Sequence, residues 1–229
     1  MVTDPDDKAK GLHASWEENA SNWTRAVRDD LIESRARVTN QAVLEVVGSL
    51  TPARILDVGC GEGWLVRQLN LLSGCVAEGF DGSSELISAA RAEDSEGRYT
   101  ALTYEAFAAD PDALGWRGDL AVCNFSLLSE ELVPLLNAIR HCLQPDGHLV
   151  IQTLHSWAAG ADLGYADGWK EDDFSKLPAS DWTPMSWYFR TLGSWLRDIN
   201  AAGFQLLDLK EPRHPDTGDP VSMILVCRT

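Results

Sequence analysis

Hydrophobic positions along this 229-residue chain follow two alternating rhythms. Segments 53–59, 75–80, 98–105, 119–125, 148–155, 204–210 and 221–228 are short runs rich in apolar and β-branched residues. Near-continuous apolar runs of that length, such as ARILDVG at 53–59, suit strands buried between two layers. Between the runs, 64–72, 83–92, 130–143 and 191–202 space their apolar residues at helical intervals. Two more helices are expected at 8–27 and 30–50, the second striped by Leu31, Val38, Ala42, Leu44 and Val47 and ended by Thr51-Pro52. Strand and helix alternating at this spacing predict an α/β fold: a doubly wound, mostly parallel, seven-stranded sheet with helices on both faces. The last two strands have no helix between them, so they should pair antiparallel and close the C-terminal edge.

The alternation breaks at 156–189, a long stretch rich in Gly, Asp and Pro that carries Trp157, Tyr165, Trp169, Phe174, Trp182, Trp187, Tyr188 and Phe189. Eight aromatic residues in one irregular segment exceed what a loop needs for its own stability. The expected organisation is therefore one domain over 1–229, with 1–50 as a helical cap and 156–189 as a second cap after the fifth strand. A length of 229 residues suits one well-packed core and is short for two.

Charge narrows the partners. The formal net charge is −16, which disfavours nucleic acid and anionic membrane surfaces. The opening MVTDPDDKAK is acidic and polar, unlike a secretory signal, and no apolar run is long enough to span a bilayer, so a cytoplasmic protein is expected. Cys60, Cys75, Cys123, Cys142 and Cys227 are scattered without the close pairs of zinc or redox motifs, and the histidines are equally dispersed. No metal site is expected.

Chemistry concentrates in ILDVGCGEGW, residues 55–64, where Gly59, Gly61 and Gly63 follow a strand that ends in acidic Asp57. A turn without side chains, at the opening of a helix, lets a ligand approach the backbone. The plainer reading is a tight strand-to-helix turn. Against it stands a second acid, Asp81, at the end of the next strand, where it could accept hydrogen bonds from two ribose hydroxyls. A dinucleotide fingerprint would need a small residue where Trp64 stands, and Glu62 would repel a pyrophosphate. S-adenosylmethionine is a nucleoside that carries a sulfonium and an ammonium instead, and it suits acids around the turn. A nicotinamide-dependent oxidoreductase and a non-catalytic nucleoside-binding regulator are the alternatives.

With ILDVGCGEG (55–63), Asp81, DLAVCNFSLL (119–128) and LQPDGHLVI (143–151), the chain resembles the class I S-adenosylmethionine-dependent methyltransferases from about residue 40 onward. The resemblance implies a methyltransferase whose Asp57, Gly59, Gly61 and Gly63 surround the methionine part of the cofactor, with Asp81 on the ribose. It places Tyr104, Glu105 and Ala106 beside the adenine, and Asn124 and Phe125 at the methionine end or the methyl group.

Methyl transfer from a sulfonium needs alignment and, for a protonated nucleophile, a base. His155, directly after the fifth strand, is the candidate base, with Tyr188 and Arg190 to orient or polarise the acceptor. A histidine at a strand end is otherwise a capping or core residue. Trp16 and Trp23 from the first helix, and Trp157, Trp169 and Trp187 from the insertion, are candidate acceptor-binding residues, although aromatic stripes also serve as core. Beside Trp169, the acids Glu171, Asp172 and Asp173 could cage an amine or simply form a solvated face. The expected acceptor is a small aromatic, apolar or amine-bearing molecule methylated on oxygen or nitrogen.

Overall fold

The computed structural model describes residues 5–175, 177 and 181–229. A long helix α1 (Pro5–Arg28) is followed, after a short turn, by a π-helical turn at Arg35–Thr39 that runs into α2 (Asn40–Ser49). Then come β1 (Arg54–Val58), α3 (Trp64–Leu69), β2 (Val76–Asp81), α4 (Ser84–Glu93), β3 (Tyr99–Ala101), α5 (Tyr104–Ala109) and β4 (Gly118–Asn124). The chain continues through α6 (Val133–Cys142), β5 (Leu143–Leu154), α7 (Ser156–Leu163), β6 (Gly168–Asp172), β7 (Met185–Phe189), α8 (Leu192–Ala201), β8 (Gln205–Lys210) and β9 (Ser222–Arg228).

The main sheet has seven strands in the order β3-β2-β1-β4-β5-β9-β8. Strands β1 to β5 pair parallel, while β9 runs antiparallel to both β5 and β8. Alternate residues of each central strand serve opposite faces, as the period of two demands. Leu56, Val58, Ala121, Cys123, Leu149, Ile151, Leu225 and Cys227 face one core with Phe107 of α5, Leu136 and Ile139 of α6 and Trp195 of α8. Ile55, Leu120, Val122, Val150, Ile224 and Val226 face the other, with Val43 and Val47 of α2, Leu65 and Val66 of α3 and Ile87 of α4. Strand order reverses between β1 and β4, which opens a crevice at the carboxyl ends of these strands.

Two segments depart from expectation. The insertion 156–189 is not irregular throughout: it opens with α7, for which His155 is the N-cap, and holds an antiparallel β6–β7 hairpin separate from the main sheet. Met185, Trp187 and Phe189 point one way from β7 and join Leu12, Phe174, Trp16, Trp23 and Trp182 in a third apolar cluster, so the hairpin is cemented to α1. The stretch expected as one helix at 30–50 begins only after a break at 29–32: it is helical from Glu33, passes through the π turn and continues as α2. No helix among the described residues is long and apolar enough to cross a membrane.

Candidate functional site

At the carboxyl ends of β1, β2 and β4 lies a cavity of about 130 Å³. Its floor is the glycine turn with Asp57 and Asp81, its far wall Thr103 to Glu105, its near wall Asn124, Phe125, Ser126 and Ser129. Leu12, Trp16, Trp23 and Val27 of α1 roof it, and Arg35 and Trp64 close one end.

The three glycines of the turn serve three different needs. All have left-handed backbones, with φ of +76° at Gly59, +55° at Gly61 and +82° at Gly63, a region costly for any residue with a Cβ. A Cβ at Gly59 would meet the Tyr104 hydroxyl at 2.1 Å and Ser126 at 2.5 Å; one at Gly63 would meet the Tyr99 ring at 2.7 Å. At Gly61 nothing lies within 4 Å, so its bare backbone faces open space in the cavity. Gly63 packs underneath and lies outside the lining. Most of the turn's own donors are engaged: Gly59 and Cys60 N–H donate to the Phe80 carbonyl at 2.9 and 3.0 Å, and Gly61 N–H donates to Asp81 Oδ2 at 2.9 Å.

Asp81 also accepts from Ser83 N–H through Oδ1 at 2.8 Å. Burial raises its pKa, and these two backbone donors work against the rise. Asp57 is 2 % exposed, and its Oδ1 has no hydrogen-bond partner among the described residues. Burial, helped by the Asp81 carboxylate and opposed by the Arg35 guanidinium, pushes it up to about 8. Asn124 presents a second buried oxygen, Oδ1, without a partner among the described residues. Native interiors rarely leave such acceptors empty, and these two open on the same cavity. Phe125, next along, is held at φ +56° while its N–H donates to the Gln152 carbonyl at 2.8 Å. A non-glycine residue in that region is a strained position, and strain of this kind gathers at ligand sites.

Sequence reasoning misses Arg35. Its guanidinium carbon lies 6.0 Å from the Trp23 ring centre and 5.4 Å from that of Trp64, and no hydrogen bond or ion pair to it is formed among the described residues. Burial lowers its pKa, with Glu62, Asp57 and Asp30 working the other way. The only signal in the sequence is an arginine just past a helix break. His13 and Leu12 of α1 and Ser126 and Ser129 of the loop after β4 are further lining residues that the sequence does not single out.

Glu62 requires a correction. Its carboxylate does not stand free to repel a phosphate: the side chain is 2 % exposed and bridges Arg28 at 2.9 Å and Arg67 at 2.8 Å. Arg28 also reaches Glu93 at 3.1 Å and the Ala89 carbonyl at 3.0 Å. The acid is a bolt between α1 and the glycine turn.

The remaining expected residues divide sharply. Trp16, Trp23, Asp57, Gly59, Gly61, Asp81, Tyr104, Glu105, Asn124 and Phe125 all line the cavity, and Ala106 does not. Tyr104 donates its hydroxyl to the Ser126 carbonyl at 3.2 Å, which fixes the near wall. His155 lies away from the cavity, with both ring nitrogens engaged: Nδ1 accepts from Ala158 N–H at 3.3 Å, and Nε2 sits 2.8 Å from Glu211 Oε1. Arg190, 3 % exposed, donates through Nη2 to the Ser129 and Glu130 carbonyls and through Nε to Asp198 at 3.1 Å. Its guanidinium is stacked against Tyr188 at 4.8 Å and Trp195 at 5.4 Å. Trp169 donates to Glu130 at 3.0 Å and packs on Tyr188, Trp187 is buried in the α1–hairpin cluster, and Trp157 is 69 % exposed. Tyr188, Arg190, Trp157, Trp169 and Trp187 are thus outside the lining of this cavity.

Residues 31–209 match the model of a methyltransferase-domain family. No curated protein matches the chain. Among solved structures, the chain is similar to a 1,6-didemethyltoxoflavin-N1-methyltransferase from Burkholderia thailandensis, solved with 1,6-didemethyltoxoflavin and S-adenosylhomocysteine bound. That likeness has 19 % identity and a TM-score of 0.66, and covers 100 % of this chain and 92 % of the other. An S-adenosylmethionine-dependent methyltransferase from Leishmania major gives 15 % identity, a TM-score of 0.67 and coverage of 99 % and 85 %. Another from Mesorhizobium loti gives 22 %, 0.57, 81 % and 96 %. At these identities the solved structures speak to the fold alone.

Proposed function

The chain belongs to the methyltransferase-domain family, and from that premise we propose that it moves a methyl group from S-adenosylmethionine to an oxygen or nitrogen of a small molecule. The observation that carries the reading is the pair of unpartnered buried oxygens, Asp57 Oδ1 and Asn124 Oδ1, on the same cavity as Gly61 and Asp81. The donor, when bound, supplies a methyl group on an activated sulfonium carbon. The protein's work is therefore alignment and exclusion of water.

In this reading the lone pairs that remain on Asp81 accept from the ribose hydroxyls, and the free oxygens of Asp57 and Asn124 accept from the ammonium. Thr103 to Glu105 bound the adenine, Gly61 keeps the floor open, and Arg35 faces the carboxylate. Trp16 and Leu12 above and Phe125, Ser126 and Ser129 below form an apolar wall with two hydroxyls, which favours a small aromatic or apolar acceptor, amine-bearing ones included. We assign His155 to capping α7 and tying it to Glu211, and Arg190 to holding the loop after β4 through the Ser129 and Glu130 carbonyls, with Tyr188 stacked on its guanidinium. Family membership and Trp64 set the nicotinamide alternative aside; Glu62 no longer contributes to that choice.

Calorimetric titration with S-adenosylmethionine, S-adenosylhomocysteine and NAD tests the donor, followed by a panel of small phenols, carboxylic acids and amines with S-adenosylhomocysteine formation as the readout. Binding of the first two ligands and turnover of at least one acceptor is the expected result. Binding of NAD alone would refute the reading, and cofactor binding without turnover of any acceptor would favour the regulator.

A further inference from the structure

The unpartnered guanidinium of Arg35 sets a physical problem. A cation inside a cavity is ordinarily held by carboxylates, and carboxylates would occupy the N–H edges that a ligand needs. Here the nearest acids stand off: Glu62 is taken by Arg28 and Arg67, and no bond joins Arg35 to Asp57 or Asp30 among the described residues. What touches the guanidinium is aromatic, with Trp23 of α1 at 6.0 Å and Trp64, the first residue of α3, at 5.4 Å. An indole face attracts a cation through its quadrupole and offers no lone pair that competes for the N–H groups.

We propose that Trp23 and Trp64 are positioning residues that hold Arg35 as an open, two-edged donor for a ligand carboxylate, namely that of the amino-acid end of the cofactor. This rests on the donor assignment above and goes beyond it by giving a role to Trp64, which stands where a dinucleotide site requires a small residue. The two rings come from elements far apart in sequence, Trp23 from α1 in the roof and Trp64 from the start of α3 at the end of the cavity. Arg35 itself sits on the π turn between them, so the carboxylate site forms only when α1 is docked on the glycine turn. The planar fork of arginine suits bidentate pairing with a carboxylate, which lysine cannot reproduce.

The test compares two probes by calorimetry: S-adenosylhomocysteine, which carries the carboxylate, and 5′-methylthioadenosine, which has the nucleoside and thioether without it. Trp64→Leu keeps apolar bulk and removes the π face. It is expected to weaken S-adenosylhomocysteine on the order of tenfold while leaving 5′-methylthioadenosine within about twofold. Trp64→Phe restores most of the loss. Arg35→Met weakens S-adenosylhomocysteine at least as much, and adding Trp64→Leu to it costs little more, because the two residues act as one unit. A purely structural role for Trp64 would weaken both probes alike, and Phe would rescue no better than Leu; either result, or additive losses in the double variant, overturns the proposal. If the unaltered protein binds neither probe, the donor assignment fails and takes this inference with it. If it binds both and Trp64→Leu does not discriminate between them, only the inference fails.

Discussion

If the proposed reading holds, Asp57 should couple ligand binding to a proton. Its carboxyl is buried beside Asp81 with one oxygen unpartnered, and its pKa stands at about 8. At pH 7 a group with that pKa is about 90 % protonated, and ionising it costs about 1.4 kcal/mol. A ligand ammonium placed against the carboxyl favours the ionised form, so binding at pH 7 should release about 0.9 proton from this site. Below pH 8 the affinity for S-adenosylhomocysteine should rise up to tenfold per pH unit, and it should level off above pH 8. The ligand's own amine also titrates, so Asp57→Asn, which mimics the neutral acid, is the reference. The two proteins should bind alike at pH 6 and diverge as the pH rises. Titration in buffers of different ionisation enthalpy counts the protons. Equal release by both proteins, or parallel pH profiles between 6 and 9, would refute the reasoning. The unliganded protein gives the complementary sign: a carboxyl whose folded pKa is raised binds more protons folded than unfolded. Its contribution to stability is thus complete below about pH 4, is lost as the pH rises to about 8 and is flat above. Asp57→Asn should therefore be more stable than the unaltered protein at pH 8 by urea denaturation, and the advantage should vanish near pH 4.

Other substitutions separate the roles of neighbouring residues. Gly59→Ala should cost more than about 3 kcal/mol in urea denaturation, since its Cβ collides with Tyr104 and Ser126, while Gly61→Ala should cost about 1–2 kcal/mol for backbone strain alone. Glu62→Ala should cost roughly 2–3 kcal/mol, below the range for a fully buried pair because Arg28 and Arg67 keep some solvent contact; no loss of stability would mean that α1 is held by its apolar contacts alone. His155→Gln should leave the affinity for S-adenosylhomocysteine within about twofold, because its ring is engaged by Ala158 and Glu211 away from the cavity; a tenfold loss in calorimetry would return His155 to the site.

What the sequence reveals follows from the range of the interactions involved. The central strands are legible because a strand covered on both faces leaves a near-continuous apolar run, the exposed edge strands β3 and β8 by their place in the strand–helix alternation, and the glycine turn because left-handed backbone restricts residue choice locally. The β6–β7 hairpin is obscured: its inward set, Met185, Trp187 and Phe189, alternates with Ser186 and Tyr188 over only five residues, and Tyr188 blurs the alternation. Glu62 misleads for a different reason. Its partner Arg28 is 34 positions away, and from sequence an acid beside a glycine turn counts as free charge until the fold supplies the arginines. Arg35 is the mirror case, a cation beside Glu62, Asp57 and Asp30 that forms an ion pair with none of them among the described residues. Both reversals turn on α1. By delivering Arg28 to Glu62 it neutralises the acid beside the turn, and by delivering Trp23 to Arg35 it leaves that cation's donors open to the cavity. Asp57 and Asp81 at the strand ends and Arg35 then face the cavity, with Glu105 on its far wall; in the proposed reading the first three complement a ligand with an ammonium, a sulfonium and a carboxylate. Docking of α1 is therefore what converts an acidic stretch of sequence into a site with a defined order of charge.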